Sequence, residues 1–252
     1  MPIHLPRRLG KRQPEHDART VKLNRYITRA ILPPPKPSID WAAAIPSWPM
    51  LANDQLGDCT IAAGPGHMTH CWSANASTPV ILTDAQIIKA YSDFCGYVPG
   101  VPSTDNGGVE LRVLRKWRRR GVAGYKIDAF VSVDLGPAER SDTQVAIEVF
   151  GGLYTGFSLP ASAQDQSVIW SVVPGSAGYP GSWGGHAVPI IKYDAEGPTC
   201  VTWGGLQKMT WEFYDRYCDE AYAIISQQWL VNQVTPTGIN LQQLYLDLRA
   251  VD

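Results

Sequence analysis

At Tyr125 the chain changes its hydrophobic rhythm, and this constrains the fold more than any other feature of its 252 residues. Before that point the apolar residues fall at helical spacing. Residues 60–72 read as a helix interrupted at Gly64-Pro65-Gly66, where a kink is expected. Thr83-Asp84 is a good start for a helix through AQIIKAYSDF. Glu110–Arg120 carries an apolar stripe of Val113, Leu114 and Trp117 beside six Lys/Arg, a face expected to be solvated. After Tyr125 the chain breaks into short apolar runs separated by Gly and Pro: DAFVSVD, AVPIIKYD, CVTW and AYAIIS. These read as strands, with WEFYDRYC as one inserted helix. Helices first and strands later, with little βαβ alternation, predicts an α+β fold. The C-terminal NLQQLYLDL places Leu241, Leu244, Tyr245 and Leu248 at helical spacing and is expected to pack back on the body.

Residues 1–40 have a different character and form a basic, proline-rich arm ahead of a domain over 41–252. Nine Lys/Arg against Glu15 and Asp17 give residues 1–36 a charge of +7, within a chain whose formal charge is −1. ILPPPKPSIDW is extended, because Pro fixes its own φ and disfavours helix in the residue before it. Such an arm is expected to dock on a protein partner or a second copy of the chain, or to lie across its own acidic surface.

No run of 18 apolar residues exists, so nothing in the sequence reads as a membrane span, and the N-terminus lacks a secretory signal. The expected location is the cytoplasm or an assembled particle. The five cysteines read as free thiols, although Cys71, Cys95, Cys200 and Cys218 leave pairings open, Cys200 with Cys218 first among them. Neither CxxC nor HxxxH spacing occurs, so no metal and no cofactor are expected. Nucleic acid is disfavoured as a partner, since no aromatic platform accompanies the basic residues.

One thiol stands apart. Cys59 follows Gly57-Asp58 at the predicted start of a helix, where the helix dipole and free N–H groups favour the thiolate. A cysteine nucleophile needs a base. His4 and His16 lie in the arm. His67 and His70 lie about 12 and 16 Å of helical rise from the thiol. His186 opens a strand-like run directly after Gly184-Gly185, a placement that faces a cleft.

Gly57-x-Cys59 heading a helix, then GGHAVPIIKYD, then TCVTWGG, resembles the papain-like cysteine peptidase superfamily in order and spacing. Cys59 and His186 are 127 residues apart, and His186 and Trp203 are 17 apart. TDAQIIKAY and DNGGVELRVLRKW are similar to the second helix, and to the Gly-rich turn and third helix, of that family. The resemblance covers residues 40 to 228. It implies a helical subdomain, about 41–124, with the Cys-bearing helix packed against a half-open antiparallel β-barrel, about 125–252, and a cleft between them. It also implies Cys59 as nucleophile, His186 as general base and Asn53, six residues before the cysteine, as oxyanion donor, with Gln55 as the runner-up.

Two departures stand out. The family's asparagine, which orients the histidine, falls on Val201, which cannot accept a hydrogen bond. Thr202 is the nearest polar substitute, but strand alternation turns it away from the face of Val201 and Trp203 unless a bulge intervenes. Second, the 58 residues before Cys59 are too few for the family's usual inhibitory pro-segment. Two functions follow from the sequence. One is a thiol hydrolase cutting amide bonds in peptide or cell-wall peptide. The other is a catalytically weak or silent papain-fold structural or binding protein, as in a phage particle or other assembly.

Overall fold

The computed structural model describes residues 7–25 and 34–229. The predicted C-terminal helix and part of the proline spacer lie outside them.

The helical half is built round one buried helical stretch. It begins as α1 (Cys59–Ile61), widens into a π-helical segment (Ala62–Met68) and returns to α geometry as α2 (Thr69–Asn75). The wide turn is the answer to Gly64-Pro65-Gly66. Pro65 has no N–H to give an α ladder, and a π segment takes up the mismatch without ending the helix. Every residue from Cys59 to Ser73 is buried. Gly64 lets the rings of Tyr154 and Trp117 close on the backbone, a Cβ there lying 3.4 Å from the first. Trp72 stacks on Trp117 at 5.9 Å and donates its indole N–H to the Phe150 carbonyl, a pair contributing about 0.5–1.5 kcal/mol beyond its buried area.

Two further helices cover this stretch. α3 (Asp84–Cys95) starts at the predicted Thr83, whose hydroxyl accepts from Gln86 N while the Gln86 side chain accepts from Thr83 N, a complete capping box. α4 (Glu110–Arg120) buries Val113, Leu114 and Trp117, as its stripe requires, and also Leu111 and Glu110. Its basic face is not simply solvated. Arg112 Nε donates to Glu15 at 2.9 Å, and Arg115 pairs with Asp17.

The second half is an open, mostly antiparallel sheet. Its strands are β1 (Ile39–Asp40), β2 (Ala129–Ser132), β3 (Leu153–Leu159), β4 (Ile169–Trp170), β5 (Gly184–Tyr193), β6 (Pro198–Thr202), β7 (Gly205–Met209) and β8 (Cys218–Ile225). They run in the order β2-β8-β3-β5-β6-β7-β4, with β1 added to β5 and only β4–β7 parallel. β5 is the longest and central, so it carries its first residues, Gly184 to His186, to the cleft.

One helix of this half is absent from the sequence prediction. α5 (Arg140–Phe150) carries the run QVAIEVF, to which the sequence reading gives no element; the helix packs against β3, β5 and β8 and stops where Gly151 turns left-handed at φ 69°. α6 (Trp211–Tyr217) is the inserted helix read from WEFYDRYC, capped by Thr210.

The N-terminal segment docks on its own chain. Residues 7–12 run through the cleft between the halves. Further on, Lys22 forms an isolated parallel bridge with Ser132 at the edge of β2, Lys22 pairs with Asp134 at 2.7 Å, and Leu23 is buried in the core.

Candidate active site

Cys59 opens its helix with the thiol buried beneath the start of β5, where the backbone N–H of Ala187 lies 3.4 Å from Sγ. His186, the residue before Ala187, is 1% exposed. Its Nε2 lies 2.7 Å from Thr202 Oγ1, and its Nδ1 has no hydrogen-bond partner among the described residues. Trp203 covers the ring face to face, the centroids 4.3 Å apart and the planes 8° from parallel.

Regular alternation would not let Thr202 and Trp203 both reach one imidazole. The chain leaves the strand there: Trp203 takes φ 44° and Gly204 φ 74° in a tight turn joining β6 to β7. With Ile190 paired to Cys200, Thr202 falls on the His186 face and Val201 on the opposite side, packed with Trp48, Cys71 and Ile191, and the turn brings Trp203 back to the ring. The residue aligned with the family's asparagine therefore does not touch the histidine, and its neighbour does.

Asn53 is buried and Gln55 is exposed. The Asn53 amide nitrogen lies 3.1 Å from Asp58 Oδ1, 3.1 Å from the Leu56 carbonyl and 3.4 Å from the carbonyl of Arg8, so it reaches the cleft. The Trp203 indole N–H lies 3.2 Å from the same Arg8 carbonyl. Thus the structure joins His186 to Thr202, seats Cys59 against the residue after His186 and ties Asn53 to Asp58, the residue before Cys59, while Gln55 is exposed, Val201 packs in a separate cluster and His70 packs on Trp48.

Sequence reasoning missed what fills the cleft. Arg8 N donates to the Asn53 carbonyl, Lys11 N to the Gly185 carbonyl at 3.0 Å and Arg12 N to the Gly108 carbonyl at 2.8 Å, while Gly108 N donates to the Gly10 carbonyl at 2.8 Å. Residues 10–12 thereby form a parallel bridge to Gly108. Gly10 lies against Gly57, two residues before the thiol, and its backbone N–H, with that of Ala187, favours the Cys59 thiolate. Only glycine fits, since a Cβ at position 10 would lie 1.8 Å from the Gly57 carbonyl oxygen. The available signals were the solitary glycine of RRLGKR and the paired Gly107-Gly108.

This enclosure sets the protonation of the pair. Burial pushes the Cys59 thiol up to about 12, against the N–H donors of Ala187 and Gly10, which favour the thiolate. Burial likewise pushes His186 down to about 3, aided by the charges of His67 and Arg7. In the closed chain both groups are neutral. All five cysteines are free thiols, so Cys200 and Cys218 are not bridged. Among the described residues no helix is long and apolar enough to cross a membrane.

Neither a family model nor a curated protein matches the chain. Solved structures do. Xylellain, a cysteine protease from Xylella fastidiosa, is 15% identical with a TM-score of 0.67, over 86% of this chain and 96% of its own. Procathepsin B S9 from Trypanosoma congolense is 12% identical with a TM-score of 0.58, over 87% of each chain. The ragweed pollen allergen Amb a 11, a cysteine protease in its proform, is 13% identical with a TM-score of 0.55, over 82% of this chain and 71% of its own. The fold is that of the papain-like cysteine proteases.

Proposed function

We propose that this chain, which has the papain-like fold, is a thiol hydrolase of peptide amide bonds held latent by its own residues 7–12. The observations that support the reading are the Cys59 sulfur set against the N–H of Ala187, the residue after His186, the His186–Thr202 hydrogen bond, and Asn53 tied to Asp58, the residue before Cys59, with a peptide segment of the same chain lying over them.

The chemistry follows from the geometry. His186 donates its Nε2–H to Thr202, leaving the Nδ1 lone pair to take the thiol proton. The sulfur attacks the carbonyl carbon of the substrate amide. The oxyanion so formed is held by the Cys59 backbone N–H and the Asn53 amide. His186 returns the proton to the departing amine, leaving a thioester. Water, deprotonated by the same imidazole, then releases the acid and restores the thiol. Trp203 shields the His186–Thr202 hydrogen bond from solvent, which strengthens it.

The arm occupies this cleft without being a substrate. It is the Gly10 N–H, not a carbonyl carbon, that acts on the thiol, and the Gly10 carbonyl is drawn to Gly108 N–H. A peptide running in the opposite direction would exchange donors for acceptors along the bridge and bring a carbonyl to the thiol. Two of the structurally similar proteins named above are proforms, in keeping with latency.

The test is labelling with a cysteine-directed electrophile. Full-length Gly10→Ala, which cannot seat its arm, should be alkylated at Cys59 far faster than at the other four cysteines, and His186→Ala in that background should abolish the difference. Slow, uniform labelling of all five in both would leave a silent binding protein instead.

A further inference from the structure

Beside the thiol, the arm sends one side chain into a pocket that the catalytic residues do not use. The Lys11 side chain is 1% exposed, with Nζ 2.7 Å from Asp219 Oδ1 and 3.2 Å from Glu220 Oε1. Glu110, at the start of α4, is fully buried, neither carboxyl oxygen has a hydrogen-bond partner, and its charge acts on Lys11. The pocket is shaped for a long unbranched stem. A Cβ on Gly156 of β3 would lie 1.9 Å from Lys11 Cε. Two of the carboxylates are held in place by the protein: Ser158 donates to Asp219 at 2.7 Å and Tyr222 to Glu220 at 3.0 Å.

Three carboxyl groups round one ammonium is more acid than a latch needs. Burying a charge is costly without a partner, and removing one member of a buried ion pair leaves the other uncompensated. When the arm leaves, the pocket loses its ammonium while the carboxyls of Glu110 and Glu220, pushed up by burial and by the neighbouring carboxylates, stay beside Asp219, and a cation of similar length is what draws them back to their charged forms. The backbone contacts that carry Lys11 there, Lys11 N to Gly185 and the Gly108 bridge, are open to any extended chain. A side-chain pocket does not read the direction of that chain.

Resting on the hydrolase reading above, we infer that the pocket of Glu110, Gly156, Asp219 and Glu220 selects peptide substrates with a lysine or arginine side chain next to the bond that is cut, and that Lys11 occupies it as a resident mimic of that side chain.

The test uses full-length Gly10→Ala. Fluorogenic peptide pools fixed as Lys, Arg, norleucine or Glu at each of the three positions before the reporter amide are compared. In parallel, the peptide RRLGKR and its norleucine-11 form are titrated against the protein. At one position the Lys or Arg pool should be cleaved at least ten times faster than norleucine, and the norleucine peptide should bind at least tenfold more weakly than RRLGKR. Glu220→Gln should narrow both ratios. Equal cleavage of all pools overturns the pocket inference and leaves the hydrolase standing. Equal binding of the two peptides overturns it whatever the activity. If no pool is cut and Cys59 is not selectively labelled, but binding still requires Lys11, the hydrolase reading falls and the pocket stands as a reader of basic side chains.

Discussion

His186 and Thr202 are joined by a 2.7 Å hydrogen bond between the neighbouring strands β5 and β6. Register carries it: Ile190 pairs with Cys200, so residues 186 and 202 fall on one face, and the turn at Trp203, φ 44°, brings the indole to the same ring. In the proposed mechanism this bond fixes the tautomer, so the hydroxyl of Thr202 is a positioning group.

Thr202→Val in the Gly10→Ala background should therefore lower kcat on the order of tenfold or more, since oriented acid–base transfer itself contributes about 10²–10⁴. Thr202→Ser should restore it. The kcat pH profile of the Val variant should also shift, which a merely structural loss would not cause. An unchanged kcat and profile would remove Thr202 from the mechanism.

Asn53→Ala should cost about 10²–10³ in kcat, the usual loss for one oxyanion donor, while Gln55→Ala, exposed and distant, should cost nothing measurable. Alkylation of Cys59 builds no oxyanion. Its rate should survive Asn53→Ala, and a parallel loss of both would assign Asn53 to holding Asp58 instead.

The pH dependence of labelling reports the arm. With Cys59 pushed up to about 12 by burial, the thiolate is scarce at neutral pH, and the alkylation rate of the wild-type chain should keep rising through the alkaline range. Gly10→Ala lets water reach the thiol, and its rate profile should move to lower pH. Superimposable profiles would mean that the arm does not cover the cysteine in solution.

Stability should fall as the medium is acidified. Burial pushes both His67 and His186 down to about 3. Below the ordinary histidine value of about 6.5 the unfolded chain binds protons that the folded chain refuses. The stability from these two neutral rings is present above that value and is lost as pH falls towards about 3. His67→Asn should make the slope of Tm against pH shallower between 6.5 and 4, and an equal slope in both proteins would show that His67 is protonated while folded.

The sequence by itself determined the local elements and the order of the two halves. The 3.6-residue stripe of Val113, Leu114 and Trp117, the Thr83 cap and the change to short apolar runs after Tyr125 are written in neighbouring residues, so they predict α3, α4 and the strand-rich second half directly. Positions 59 and 186, each at the start of an element and shortly after a glycine, are placed by the same kind of local signal. Tertiary structure decided the rest. QVAIEVF is helical because α5 packs against β3, β5 and β8, an interaction that local propensity does not contain. Thr202 faces His186 because β5 and β6 pair with Ile190 opposite Cys200, a register that the sequence does not show. RRLGKR reads only as part of a basic arm that docks on a partner or on the chain's own acidic surface, since each of its six residues is unremarkable alone. Its place in the cleft depends on Gly57, Gly108, Gly185 and the carboxylates at 110, 219 and 220, which come from opposite ends of the chain. Desolvation, steric clearance and charge pairing act through space, and they gave this segment a partner that no local pattern specifies.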